Sequence, residues 1–137
     1  MASKNILILC TGNSCRSQMA QALIQKQHPE FNVFSAGTHP APAVHPLAID
    51  VMAEKGIDLR NQIPSSVDLY LNRNFDHVIS VCGEAHETCP VFLGRVIHRN
   101  HVGFFDPALA QGSHEDRLKI FRQVRDEIEA TFSNYSF

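Results

Sequence analysis

The stretch Ile6-Leu7-Ile8-Leu9-Cys10-Thr11-Gly12-Asn13-Ser14-Cys15-Arg16-Ser17 decides the fold: four aliphatic residues give way to a small polar loop, and an amphipathic helical pattern follows. A short apolar run bounded by turn residues reads as a buried strand. The whole is then a strand, a loop and a helix N-terminus, with a thiol at the loop's mouth. The five residues between Cys10 and Arg16 can curl so that successive backbone N–H groups point inward, while the Arg16 guanidinium returns to face the sulfur as a two-pronged donor. Such a cup fits a tetrahedral oxyanion. Cys10 is the candidate nucleophile, and Thr11, Gly12, Asn13, Ser14, Cys15, Arg16 and Ser17 are the candidate anion-binding positions. Inward amides, the helix dipole and Arg16 all favour the thiolate, the form that attacks.

Working outward, strand-like runs recur at 32–35, 77–81 and 95–98, with helical patterns between them. The first helix, 17–27, carries Ala20, Leu23, Ile24 and Gln27 on one face and stops before Pro29. A second opens on Pro46, a residue suited to the first helical position, packs through Leu47 and Met52, and stops at Gly56. A shorter one is expected over 66–72. Ser113 and Asp116 resemble a capping box in front of Leu118, Phe121, Val124, Arg125, Ile128 and Phe132, which recur at helical spacing. Strands separated by helices of this length imply right-handed crossovers and a parallel sheet covered on both faces, a small doubly wound α/β fold. Ligands in such folds sit beyond the carboxyl ends of the strands, where Cys10 lies. Cys82 follows the 77–81 run in the same way, so a 2-1-3 strand order brings both thiols to one edge.

At 137 residues the chain is expected to form a single domain, spanning 1–137. With 44% hydrophobic and 19% charged residues the default is globular, and a net charge of −2 without a basic stripe argues against a nucleic-acid partner. The polar start and its short apolar run suit neither a signal peptide nor a membrane span, which points to the cytoplasm. In a reducing compartment four cysteines suggest chemistry or metal before structural disulfides. A monomer is the expectation for so small a domain.

The Cys10-to-Ser17 loop with Gln18-Met19-Ala20 resembles that of low-molecular-weight protein tyrosine phosphatases. Ser35-Ala36-Gly37, Gly56-Ile57-Asp58, Cys82-Gly83, Cys89-Pro90 and Gly103-Phe104-Phe105-Asp106-Pro107-Ala108 extend the likeness to thioredoxin-coupled arsenate reductases on the same fold. That resemblance implies a four-stranded sheet in the order 2-1-3-4. It also implies that Cys10 attacks arsenic while the loop amides and Arg16 bind the oxygens, and that Asp106 protonates the departing oxygen. Cys82 would resolve the adduct as a Cys10–Cys82 disulfide, and Cys89 would free Cys10 by forming Cys82–Cys89. Thioredoxin would reduce that last disulfide. No cofactor and no metal are implied, and phosphate and sulfate are expected as competing oxyanions.

Other readings stand beside these. Asp106 before a proline is also an ordinary turn residue, and a cysteine at a strand end, as Cys82 is, is often structural. Cys15 is expected to pack rather than react. Asn13 fits a position of positive φ. Ser17 is expected at the helix start with its hydroxyl reaching the Cys10 sulfur. Cys82, His86 and Cys89 with His98 or His101 would make a loose zinc set. His28, His39, His45, His77 and His114 read as surface or loop residues. The alternative enzyme is a tyrosine phosphatase working through a phosphocysteine. Against it, Cys82 and Cys89 would be idle, and Ala108 follows Asp106-Pro107 where such phosphatases usually place an aromatic. Some reductases of this kind bind potassium beside the loop through an asparagine, two carboxylates and a serine. Here Gln21 is neutral and no carboxylate stands at Ser65 or Ser66, although Asp68 is near, so little potassium dependence is expected. Glutathione with glutaredoxin is the other reductant the sequence leaves open.

Overall fold

Ile6, Leu7, Ile8 and Leu9 are all buried, which is what a run with no polar alternation requires of a strand covered on both faces. That strand, β1 (Asn5–Cys10), lies inside a four-stranded sheet in the order β2-β1-β3-β4, with β2 at Asn32–Gly37, β3 at Phe75–Ser80 and β4 at Val96–His101. Every pairing is parallel. Ile6 stands opposite Val33 on one side and His77 on the other, and Cys10 stands opposite Gly37. Parallel strands need crossovers, supplied by α1 (Arg16–Gln27), α2 (Pro46–Ala53) and the segments beside them, while α3 (His114–Ser133) closes the chain. The computed structural model describes residues 3–82 and 95–137. Gly83, His86 and Cys89 lie outside the described residues, and so does their part in the sequence expectations.

Pleating divides β1 between two cores. Ile6, Ile8 and Cys10 join Met19, Leu23 and Ile24 of α1, Val51 and Met52 of α2, and Phe121, Ile128 and Phe132 of α3. Leu7 and Leu9 face Ala36, Val67, Phe75 and Val78 on the other side. Each large side chain fully removed from water contributes about 1.5–3 kcal/mol, so the strand carrying Cys10 is anchored from both faces. Cys10 inherits that rigidity.

The helix ends follow the sequence. Ser113 caps α3, accepting from Asp116 N–H while the Asp116 carboxylate accepts from Ser113 N–H, and all six residues expected on the inner face are buried. Glu54, just past α2, accepts from Arg122 and Arg125 of α3, which hold its carboxyl below the usual range and bind the two helices together. No helix among the described residues is long and apolar enough to cross a membrane.

Some elements differ from expectation. The 66–72 segment forms only a 3-10 turn, Val67–Leu69, capped by the Ser66 hydroxyl and contributing Val67 to the second core. β2 extends to Gly37 and β4 to His101. β4 is mostly exposed, as an edge strand can be, so it shows no apolar run to read. His77 is not a surface residue: it lies inside β3, 3% exposed, stacked on His98 with ring centroids 4.8 Å apart.

Candidate active site

The carboxyl ends of β1 and β3 and the segment after β4 meet at one edge. Val81 N–H donates to Leu9 O at 2.9 Å, and Phe104 N–H donates to Val81 O at 3.2 Å, so the Cys10, Cys82 and Asp106 segments are joined by main-chain bonds. The Cys82 sulfur lies 3.9 Å from both Thr11 Oγ1 and Leu9 O. Topology therefore brings the second thiol beside the first residue after Cys10. Cys10, Cys15 and Cys82 are buried thiols rather than disulfide sulfurs.

The loop's shape is set by what its carbonyls do. Cys10 O accepts from Thr38 N–H, Thr11 O from His39, Gly12 O from Ala41 and Ser14 O from His45, at 2.8–3.2 Å. Asn13 O accepts from the Gln18 side chain at 3.1 Å, and Cys15 O takes the first helical bond, from Met19. In a trans peptide the C=O and the following N–H point opposite ways. Six carbonyls tethered on the outside thus turn the amides of Thr11 to Arg16 toward the inside of the curl, the arrangement an oxyanion needs. Gly37 permits this close lacing. A Cβ there would overlap the Thr11 carbonyl oxygen and lie 3.1 Å from Asn13 N.

Asn13, at φ 52° and fully buried, is the pivot. Its Nδ2 donates to Ser17 Oγ at 2.7 Å and Ser35 Oγ at 2.9 Å, and its Oδ1 accepts from Ser65 N–H at 2.8 Å and Gln18 Nε2 at 3.2 Å. An amide that donates and accepts in this way holds a non-glycine residue in the left-handed region, otherwise a cost of about 1–2 kcal/mol. The Ser17 hydroxyl, expected at the Cys10 sulfur, accepts from Asn13 Nδ2 and keeps its own proton to donate. At the candidate potassium position, Gln21 Oε1 accepts from Ser35 Oγ at 2.5 Å and Gln21 Nε2 donates to Val33 O. The oxygens of Asn13, Gln21 and Ser35 are all taken up in a neutral network.

Arg16 is 5% exposed and aimed along the loop mouth. Nη1 donates to Phe104 O at 3.3 Å, Nη2 lies 3.6 Å from Asp106 Oδ2, and Nε has no hydrogen-bond partner among the described residues. A buried guanidinium with an unmatched donor suits an anion bound in the curl, because a planar fork can engage two oxygens at once. Asp106 caps the 3-10 turn Pro107–Leu109 by accepting from Ala108 N–H, yet stays a quarter exposed with its other oxygen toward Arg16. One carboxylate thus both caps the turn and faces Arg16. Burial pushes the Cys15 thiol up to about 12, which disfavours its thiolate. Among the described residues no His, Cys, Asp and Glu group could hold a metal ion. His98 stacks on His77, and His101 Nδ1 is bonded to Ser80 Oγ at 2.6 Å.

Residues 5–136 match the model of the low molecular weight phosphotyrosine protein phosphatase family. The chain belongs to that family. Among its relatives in the family, the arsenate reductase of Bacillus licheniformis is 45% identical over 129 residues, covering 93% of this chain and 91% of that protein. Two solved structures described as an arsenate reductase, one in the reduced and one in the oxidised state, each superpose with a TM-score of 0.76. They are 30% and 28% identical and cover 96% of this chain and 95% of theirs. Arg16 and Asp106 face each other at this edge, Cys10 ends the strand that leads into the loop, and Cys82 brings a second thiol to the same rim. Gly37 and His45 are site residues the sequence reading did not assign. A glycine at the end of a strand facing the loop was the available signal for the first, and a polar residue just before a helix-opening proline for the second.

Proposed function

We propose that this chain reduces arsenate to arsenite. The Cys10 thiolate attacks arsenic, the amides from Thr11 to Arg16 and the Arg16 fork hold the oxygens, and Asp106 gives a proton to the oxygen that leaves as water. A cysteine–arsenic(V) bond results. Cys82, as thiolate, then attacks the Cys10 sulfur; the sulfur–sulfur bond forms, the sulfur–arsenic pair of electrons stays on arsenic, and arsenite departs. Cys89 attacks Cys82 in turn, Cys10 leaves as thiolate, and the Cys82–Cys89 disulfide receives two electrons from thioredoxin in the cytoplasm.

What carries this reading is the Cys82 sulfur 3.9 Å from Thr11 Oγ1, at the rim of the oxyanion loop. A phosphatase has no use for a second thiol there. The 45% identity to an arsenate reductase over nearly the whole chain supports the same choice. The test follows NADPH consumption with arsenate, thioredoxin and thioredoxin reductase for the wild type, Cys82→Ser and Cys89→Ser, beside hydrolysis of an aryl phosphate. Reduction is expected to vanish in both variants while the hydrolysis persists. Equal reduction in all three proteins would overturn the cascade.

A further inference from the structure

His45 touches the oxyanion loop and a helix N-terminus at once. Its main-chain N–H donates to Ser14 O at 3.0 Å, one of the six tethers that turn the loop amides inward. Its ring Nδ1 accepts from Leu47 N–H at 3.1 Å, which caps α2. The ring rests on Phe121 of α3, centroids 4.8 Å apart. Nδ1 accepts, so the ring is neutral with its proton on Nε2. A doubly protonated imidazole has no acceptor left and sets a positive charge against the positive end of the helix. The charged groups facing it are Arg117 of α3, which disfavours protonation, and Asp106, which favours it; burial against Phe121 disfavours it most and holds the group below the usual histidine range.

We propose that His45 is a positioning residue for oxyanion binding: the neutral imidazole, by capping α2, fixes the backbone that holds Ser14 O, and protonating the ring loosens that hold. The inference rests on the reading that Cys10 to Arg16 bind a tetrahedral anion. Ser14 sits midway along the loop, so a slack tether there lets the Cys15 peptide rotate and turns one inward amide away. Affinity for the anion falls.

Inorganic sulfate is the probe, since its charge is constant from pH 5 to pH 8. Its dissociation constant is measured over that range for the reduced wild type, His45→Asn and His45→Ala. Asparagine caps a helix without titrating. At pH 8 the wild type and His45→Asn are expected to bind alike, and His45→Ala about three- to fivefold more weakly, as the loss of a cap implies. Toward pH 5 the wild type is expected to weaken relative to His45→Asn by a similar factor. A ratio of wild type to His45→Asn that stays flat, or that moves the other way because the new charge attracts the anion, overturns the inference even if His45→Ala fails to fold. Sulfate that binds none of the three proteins overturns instead the anion-site reading beneath it.

Discussion

Cys10 and Cys82 follow neighbouring parallel strands and reach the same edge, yet their surroundings are built differently. Beyond Cys10, each carbonyl from Cys10 to Cys15 is tethered, mostly by the 38–45 segment, and a buried asparagine pins the turn. At Cys82, the sulfur's contacts to Thr11 and Leu9 are both 3.9 Å, at the long end even for sulfur. The first cysteine opens a tethered loop, and in the proposed anion site displaced donors would lose much of their electrostatic value. The second sits within reach of that loop and has no oxyanion to hold. Binding needs fixed dipoles, whereas disulfide exchange needs one sulfur to approach another in line. In the proposed reaction the two demands fall to two strand ends.

This division can be broken from the loop side. Arg16→Lys keeps the charge but removes the fork, and it is expected to lower kcat/KM for arsenate reduction and for aryl phosphate hydrolysis together, by about 10²- to 10³-fold. A loss confined to reduction would mean that Arg16 serves the redox step alone. Gly37→Ala forces the β2 end away from the Thr11 carbonyl. It is expected to cost about 1–3 kcal/mol of stability, as overpacking does, seen as a lower Tm, and to weaken phosphate binding with the Cys82 alkylation rate unchanged. Smallest of all is the ion effect. With Gln21 neutral and its oxygen bonded to Ser35, steady-state reduction in potassium and sodium should agree within about twofold. A large gain specific to potassium would show that the amide network opens to admit a cation.

The sequence showed the fold wherever burial leaves a signature. The 6–9 run, the Ser113–Asp116 cap and the inner face of α3 are each dictated by composition or spacing, and so was the shared edge for Cys10 and Cys82 once the strand order was assumed. The candidate site in the loop was legible because Cys10 and Arg16 lie within one turn of chain. Its tethers were not, because main-chain donors from 38–45 depend on backbone direction and leave no mark on residue type. The end of β4 escaped for a related reason. Its Arg99, Asn100 and His101 are solvent-facing and read as loop until the pairing with β3 is seen. His77 was misread because a buried histidine stacked on another across a ladder looks, in sequence, like any polar residue.

The central claim is that Cys10 and Cys82 together deliver two electrons to one bound arsenate. Cys89→Ser isolates that step. Reduced variant protein mixed with excess arsenate and no thioredoxin should release one arsenite per chain and stop, and mass spectrometry should find a Cys10–Cys82 cross-linked peptide two hydrogens lighter than the thiols. Intact thiols with no arsenite, or a disulfide joining Cys10 to Cys15 instead, would contradict it.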